Sequence, residues 1–504
     1  MHLAPVARVL AGFAAFFSAA QLLPLLYALF EPTDYDPELI PIAGFGASLA
    51  IGAIVSLLLW LAGRGSKAQF FRREGIAVVG LSWLLAGVLG AIPYVWSGAI
   101  PDAVDAVFET VSGLTTTGAS VLGSGGNHSI EELPQSILLW RSFTQWLGGI
   151  GIVLVFVTLL PAMGITGKSL IASEQIAVGT DGFQPRMLEQ ARSLFVVYGT
   201  LTATCALLLW LVAGLGVFDA VNHAFTSLAT GGFSTRNSSV GSFGNLAAEI
   251  VITVFMFIAG CNFGLMVTAV HRGPKLLLRD SELRVYVLIT LILVGAVTAA
   301  LLLDGRSLGA ALRSASFNVV SVYTSTGYAT EDFQAWTLPP VMLLLGSMVV
   351  GACTGSTAGG IKVIRFLVVC KLITYTVRHY LRPKSVERIK IGGQPLTAGV
   401  ISAILALVLM WCGGLFLGAF VIALDDRIPF LTAMSASASM LGCCGPSLCD
   451  VDSLGRALGP DLGPMGGYGA LHGATKLFLA FLMLLGRLEF LAPIALLSRV
   501  FWRR

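Results

Sequence analysis

Charge is what this chain most lacks. Of its 504 residues only 12% are Asp, Glu, Lys or Arg, 56% are hydrophobic, and the mean hydropathy is +0.85. A soluble domain carries about 25% charged residues. A surface so poor in charge cannot be kept in water, so the composition excludes a soluble protein and places the chain in lipid. The net charge is only +4, and the basic residues lie in short loops without forming a face. That excludes nucleic acid as a partner. Long polar segments are also missing. The longest loops on the basic side, 164–189 and 382–395, are too short to make a soluble domain.

Histidine is scarce, with six scattered residues, and the eight cysteines form no CxxC pair and no Cys/His group with zinc spacing. A membrane enzyme needs a cluster of His, Asp, Glu or Ser at one face. None is visible, so no enzyme activity and no resident cofactor are expected. Cys205, Cys261, Cys353, Cys370 and Cys412 read as small helix residues. Cys443, Cys444 and Cys449 share one loop, where free thiols are favoured over a disulfide. The run Gly355-Ser356-Thr357-Ala358-Gly359-Gly360 before Lys362 is no phosphate loop, because the lysine does not follow the glycine directly and no strand leads in.

What the chain does have is apolar length and glycine, 58 residues of it. Ten apolar runs approach the ~20 residues needed to span a bilayer: 6–30, 40–62, 76–95, 137–160, 193–215, 247–270, 285–303, 338–380, 398–424 and 475–500. The first is too long for the core of a signal peptide and reads as a retained helix. The eighth is too long for one span and is interrupted. Basic residues follow the second, fourth, sixth and eighth runs and end the chain. Acidic residues such as Asp102, Asp105, Glu131, Asp425 and Asp450 fill the opposite loops. By the positive-inside rule both termini are expected in the cytoplasm.

Between the runs lie short glycine-bearing loops: Thr115-Thr116-Thr117-Gly118, Thr230-Gly231-Gly232-Phe233, Ser325-Thr326-Gly327-Tyr328, and a divergent Leu441-Gly442-Cys443. Aligned on Gly118, Gly232, Gly327 and Gly442 they recur about every 100 residues, and Ser112, Thr226 and Ser321 superpose. Each follows a segment too short to span, such as 102–113 and 218–229, which fits a helix entering from outside and ending at mid-membrane. The negative end of its dipole would favour a cation there. Glycine can turn backbone carbonyls inward at no steric cost, and hydroxyls of Thr and Ser can add oxygens. This is the chemistry of a cation selectivity filter. The expected fold is all-α and polytopic: two transmembrane helices (1–66), then four pseudo-symmetric helix–pore-loop–helix repeats (67–168, 169–275, 276–390, 391–504) around one pore.

These loops, with Arg141-Ser142-Phe143-Thr144-Gln145-Trp146-Leu147-Gly148-Gly149-Ile150-Gly151, Gly355 to Lys362 and Gly486-Arg487-Leu488-Glu489-Phe490, give the chain a resemblance over nearly its whole length. It resembles the membrane subunit of Trk-type potassium uptake systems, within the Trk/Ktr/HKT superfamily. The resemblance implies potassium uptake across the bacterial cytoplasmic membrane. It implies K+ at Thr117, Gly118, Gly231, Gly232, Thr326, Gly327, Leu441 and Gly442, with Thr116, Thr230, Phe233, Ser325, Tyr328 and Cys443 completing the filter loops. It also implies an intramembrane gate at 351–360, with Gly351, Thr354, Gly355, Ser356, Gly359 and Gly360, beside Arg487 in the pore. Further implications are a homodimer in membrane lipid and a cytoplasmic regulatory ring that carries the nucleotide; Lys384, Arg388 and Lys390 are candidate docking contacts. One departure stands out: the fourth family loop usually reads Leu-Gly-Pro-Gly, and here Leu441-Gly442 is followed by Cys443-Cys444-Gly445-Pro446. Two readings compete: a sodium or sodium-coupled transporter of the same superfamily, and an unrelated secondary transporter with broken helices.

Overall fold

The computed structural model describes residues 3–32, 34–65, 72–123, 128–154, 183–383, 389–392, 394–450 and 458–502. Lys67, Lys168, Lys384, Arg388 and most of the loop 164–189 lie outside them. The order of the principal helices is α1 (Leu3–Ala20), α2 (Leu22–Ala28), α3 (Pro41–Ala62), α4 (Arg72–Trp96), α5 (Ala103–Leu114), α6 (Gln135–Leu154), α7 (Phe183–Leu211), α8 (Val217–Leu228) and α9 (Leu246–Ala259). There follow α10 (Phe263–Arg272), α11 (Ser281–Leu303), α12 (Leu308–Tyr323), α13 (Leu338–Val349), α14 (Val363–Leu381), α15 (Ala398–Ile422), α16 (Phe430–Gly442), α17 (Gly473–Arg487) and α18 (Leu491–Leu497). Two short strands, Lys390–Ile391 and Gln394–Pro395, pair antiparallel after α14.

Six described helices are long and apolar enough to cross a bilayer, seven if α9 and α10 count as one span bent by 91°. The eighth and tenth apolar runs are not single helices. The eighth divides into α13 and α14 around an irregular stretch, and the tenth into α17 and α18. The bend in the sixth run has a local cause. Asn262 stands inside the apolar stretch, and its side chain caps α10 by accepting from the Leu265 amide, which stops one helix and starts another.

The outer helices show the pattern that lipid imposes. Along α11, Leu288, Leu291 and Ile292 are exposed, while Tyr286, Thr290, Val297 and Leu301 are buried. On α3 the buried residues Pro41, Gly44, Phe45, Ser48 and Gly52 form one stripe. A Cβ on Gly52 would lie 1.9 Å from Ser18 Oγ, and one on Gly44 would lie 2.7 Å from the Pro93 carbonyl. Small residues here let α3 close onto α1 and α4, as membrane helices commonly do. Four helices differ from this pattern: α5, α8, α12 and α16 are buried nearly all round at their C-terminal ends and occupy the centre of the molecule.

Candidate cation pathway

The four central helices have 12, 12, 16 and 13 residues. At 1.5 Å per residue they are roughly 18–24 Å long, short of a ~30 Å hydrocarbon core. Each ends in the same way. One residue past the C-cap position, or at it in α16, takes a left-handed conformation: Thr116 (φ 54°), Thr230 (52°), Ser325 (56°) and Cys443 (51°). The next amide then bonds back five residues: Thr117 to the Ser112 carbonyl (2.9 Å), Gly231 to Thr226 (2.8 Å), Thr326 to Ser321 (2.8 Å) and Cys444 to Ser439 (2.9 Å). A glycine with positive φ follows: Gly118 (80°), Gly232 (77°), Gly327 (82°) and Gly445 (98°). Left-handed non-glycine residues cost about 1–3 kcal/mol each and concentrate at functional sites. Four at equivalent positions mark one shared site.

The glycines close a ring. A Cβ on Gly118 would lie 2.0 Å from the Gly231 carbonyl oxygen, and one on Gly232 would lie 2.0 Å from that of Thr326. On Gly327 it would lie 1.9 Å from Cys444, and on Gly445 2.5 Å from Thr117. Each glycine thus abuts the carbonyl of the residue before the glycine in the next loop, and the fourth returns to the first. Only glycine permits backbones to approach this closely. Above the ring opens a recess lined by all four glycines together with Arg141, Phe233 and Pro446.

The fourth wall differs from the sequence expectation. Leu441 and Gly442 are not loop residues: they form the last turn of α16. Cys443 holds the position of Thr116, Thr230 and Ser325, and Gly445 holds that of Gly118. Register is set by where the helix ends, and the bond from Cys444 to Ser439 ends it three residues later than an alignment on Gly442 requires. With Gly445 as the reference, Ser439 joins Ser112, Thr226 and Ser321, and Leu441 joins Leu114 and Leu228. Hydroxyls also have other partners than expected. Thr117 Oγ1 meets Thr115 Oγ1 and Thr326 Oγ1 meets Thr324 Oγ1, both at 2.8 Å, while the oxygens that abut the ring glycines are main-chain carbonyls. Phe233 and Tyr328 are buried in the walls, Phe233 under the Arg141 guanidinium and Tyr328 against His223.

Buried ion pairs brace the ring, and the charge pattern of the sequence did not single them out. Arg141 on α6 bonds Glu109 on α5 at 2.8 Å, both almost fully buried, and also reaches Ser120 Oγ and the Ser234 carbonyl. Glu109 accepts in turn from Ser120 Oγ and the Val121 amide. This network ties the first loop to the second. Lys476, whose chemistry suits snorkelling to an interface, is instead buried and paired at 2.5 Å with Asp105. Both ring nitrogens of His223 have partners within the protein: Nδ1 meets the Asp219 carbonyl and Nε2 meets Ser234 Oγ.

Beneath the ring lies the stretch between α13 and α14. A parallel bridge, Val350 with Ile361, pinches its base. The Gly351 amide donates to the Ile361 carbonyl, the Thr354 amide to Glu282, and Ser356 Oγ to the Cys353 carbonyl. Gly355 and Gly360 have φ of 74° and 71°. The stretch touches the ends of three of the central helices, α8, α12 and α16. Thr357 Oγ1 lies within hydrogen-bond reach of the Leu228 and Ala259 carbonyls, the Gly359 amide donates to Ser325 Oγ at 2.7 Å, and a Cβ on Gly359 would lie 2.1 Å from the Gly442 carbonyl. Arg487, at the end of α17, is buried and donates from Nη1 to the Thr357 carbonyl. Its Nε and Nη2 have no hydrogen-bond partner among the described residues. The acid two residues on, Glu489, pairs with Arg365 at 2.6 Å instead. Lys362 adds a second buried cation, its Nζ donating to the Ala358 carbonyl at 2.6 Å.

A family model described as a cation transport protein, TrkH, matches residues 44–502. The chain belongs to the TrkH family. It is 34% identical over the whole length of both chains to the Trk system potassium uptake protein TrkH of Salmonella typhimurium, and 33% identical, again over both whole chains, to that of Escherichia coli. The crystal structure of the potassium transporter TrkH from Vibrio parahaemolyticus matches it with a TM-score of 0.87 at 32% identity, covering all of both chains. The family is one of transporters, and the mostly helical polytopic architecture accords with it.

Proposed function

We propose that this chain is the membrane subunit of a Trk-type system and passes potassium across the bacterial cytoplasmic membrane through the ring of Gly118, Gly232, Gly327 and Gly445. The closed ring, in which each glycine abuts the next loop's carbonyl, carries this reading. A dehydrated potassium ion needs several oxygens in place of its water, and a ring of carbonyls at the ends of four inward-directed helices offers them with negative dipole ends behind. Thr117, Gly231, Thr326 and Cys444 supply the carbonyls in contact with the ring glycines. The sodium reading is disfavoured because all four wall positions hold glycine.

In this reading the stretch 350–362 with Arg487 is the gate, and the termini are cytoplasmic. The chain works as a homodimer with a separate cytoplasmic ring protein that binds the nucleotide. Lys390, on the short strand after α14, belongs to the face such a partner would meet.

Selectivity tests the filter. A side chain on Gly118 must push against the Gly231 carbonyl, so Gly118→Ser is expected to widen the ring and lower the preference for potassium over sodium. Rubidium tracer uptake into proteoliposomes, competed by each ion, measures that preference. An unchanged ratio in a correctly folded Gly118→Ser variant would remove the ring from the permeation path.

A further inference from the structure

The second filter loop lacks something that the others have. The residue before the ring glycine is Thr117, Thr326 or Cys444 in loops one, three and four, and Gly231 in loop two. Thr117 and Thr326 each anchor their loop by a hydroxyl contact of 2.8 Å to a threonine two residues back. Cys444 Sγ contacts the Val322 carbonyl at 3.7 Å. In loop two both halves of such an anchor are missing, because the residue two back is Ala229. Gln145 of α6 enters the space instead. Its Nε2 donates to the Gly231 carbonyl at 2.7 Å, and its Oε1 accepts from the Phe233 amide at 3.1 Å. The side chain is fully buried. A Cβ on Gly231 would fall 2.4 Å from the Gln145 carboxamide.

We propose that Gln145 is a positioning residue of the filter: its carboxamide replaces the side chain that loop two lacks and fixes the Gly231 carbonyl. The inference rests on the filter reading above. Its two hydrogen bonds straddle Gly232, so one rigid group holds the peptides on both sides of that ring glycine. A carbonyl has two lone pairs, and the amide of Gln145 engages one, leaving the other for an ion. Among the described residues, no side chain donates to the Thr117, Thr326 or Cys444 carbonyl. The ring therefore has one wall held from outside its own repeat, and that carbonyl shares its electron density with a donor. It attracts a cation less strongly than its neighbours and turns less freely toward a smaller one. Gly231 needs no unusual backbone, since its φ is not positive. It is glycine because Gln145 takes its side-chain volume.

The test is a cycle of variants in purified, reconstituted protein, read by the potassium-to-sodium preference of rubidium uptake and by thermal unfolding. Gln145→Met keeps the volume and removes both hydrogen bonds. It is expected to lower the preference about tenfold, the scale set by one buried hydrogen bond. Gly231→Thr alone must collide with the carboxamide and is expected to fold poorly. Gln145→Ala with Gly231→Thr frees that space and supplies a wall side chain, so it is expected to be more stable and more selective than either single change. If Gly118→Ser lowers the preference but Gln145→Met leaves it at the unmodified value, Gln145 does not position the carbonyl. If Gly231→Thr is no worse with Gln145 present than without it, the shared-volume argument falls. Failure of Gly118→Ser itself would instead remove the filter reading on which this one stands.

Discussion

At the scale of single residues, the fourth wall shows what a sequence conveys and what it hides. Gly118, Gly232 and Gly327 stand out by spacing, and the structure puts all three in equivalent left-handed turns. Gly442 has as good a claim by spacing, but it ends a helix. The information that moves the register to Gly445 is conformational: Cys443 adopts φ 51° and Cys444 bonds back to Ser439. A cysteine in a left-handed turn has no strong compositional signature. Ser439, however, was available as a clue, since it continues the series Ser112, Thr226, Ser321. The two glycines should respond differently. Gly445→Ser is expected to lower potassium preference as Gly118→Ser does, because its Cβ would meet the Thr117 carbonyl. Gly442→Ala would press on the Met348 carbonyl at 2.8 Å, outside the ring. It is expected to cost about 1–3 kcal/mol of stability, as overpacking does, with the ion preference kept. Denaturation midpoints and tracer competition on both variants separate the two effects; a selectivity loss from Gly442→Ala alone would restore the sequence register.

At the scale of elements, the length of apolar runs located the membrane helices, and charge inside them was the neglected signal. Glu109 and Arg141 each sit in stretches dominated by apolar residues, and neither can be left alone in a dry interior. The structure pairs them across α5 and α6 and uses the pair to hold Ser120 and Ser234. The fold was legible because runs of apolar residues need only be counted. The brace was not, because pairing residues 32 positions apart requires knowing which helices meet. Removing one partner of a buried pair leaves an uncompensated charge and costs roughly 3–5 kcal/mol, whereas replacing both with apolar residues can be nearly neutral. Glu109→Ala is therefore expected to unfold at clearly lower temperature than Glu109→Met combined with Arg141→Met. Thermal unfolding in one detergent checks the order. Equal loss in both would mean that the pair acts by its contacts to the loops rather than by mutual neutralisation.

At the scale of the whole molecule, the ring and the stretch beneath it are joined into one column at the ends of the four central helices. The family resemblance implied that the glycine-rich interruption and Arg487 belong together, and the hydrogen bond from Arg487 to the Thr357 carbonyl joins them. What the sequence withheld was the partner of Glu489: two residues from Arg487, it faces elsewhere on a helix, and Arg365 takes that acid. Arg487 is left as a buried cation with no carboxylate in salt-bridge range among the described residues, held under a ring suited to cations. In a low-dielectric surround such a charge repels an approaching ion strongly. Thr357 links the same stretch to the Leu228 and Ala259 carbonyls through Oγ1, so Thr357→Val should loosen it without removing bulk. If charge and loop close one constriction, Arg487→Ala is expected to raise rubidium flux by about tenfold or more, on the scale of one weakly screened charge. Arg487→Lys should keep the flux low, and Thr357→Val should raise it less. The double variant Arg487→Ala with Thr357→Val should give less than the product of the two effects, as residues acting in one unit do. Tracer exchange into potassium-loaded vesicles measures all four. Flux unchanged or reduced in folded Arg487→Ala protein would mean that the buried guanidinium serves to hold the stretch in place, and that the barrier to the ion lies elsewhere in the column.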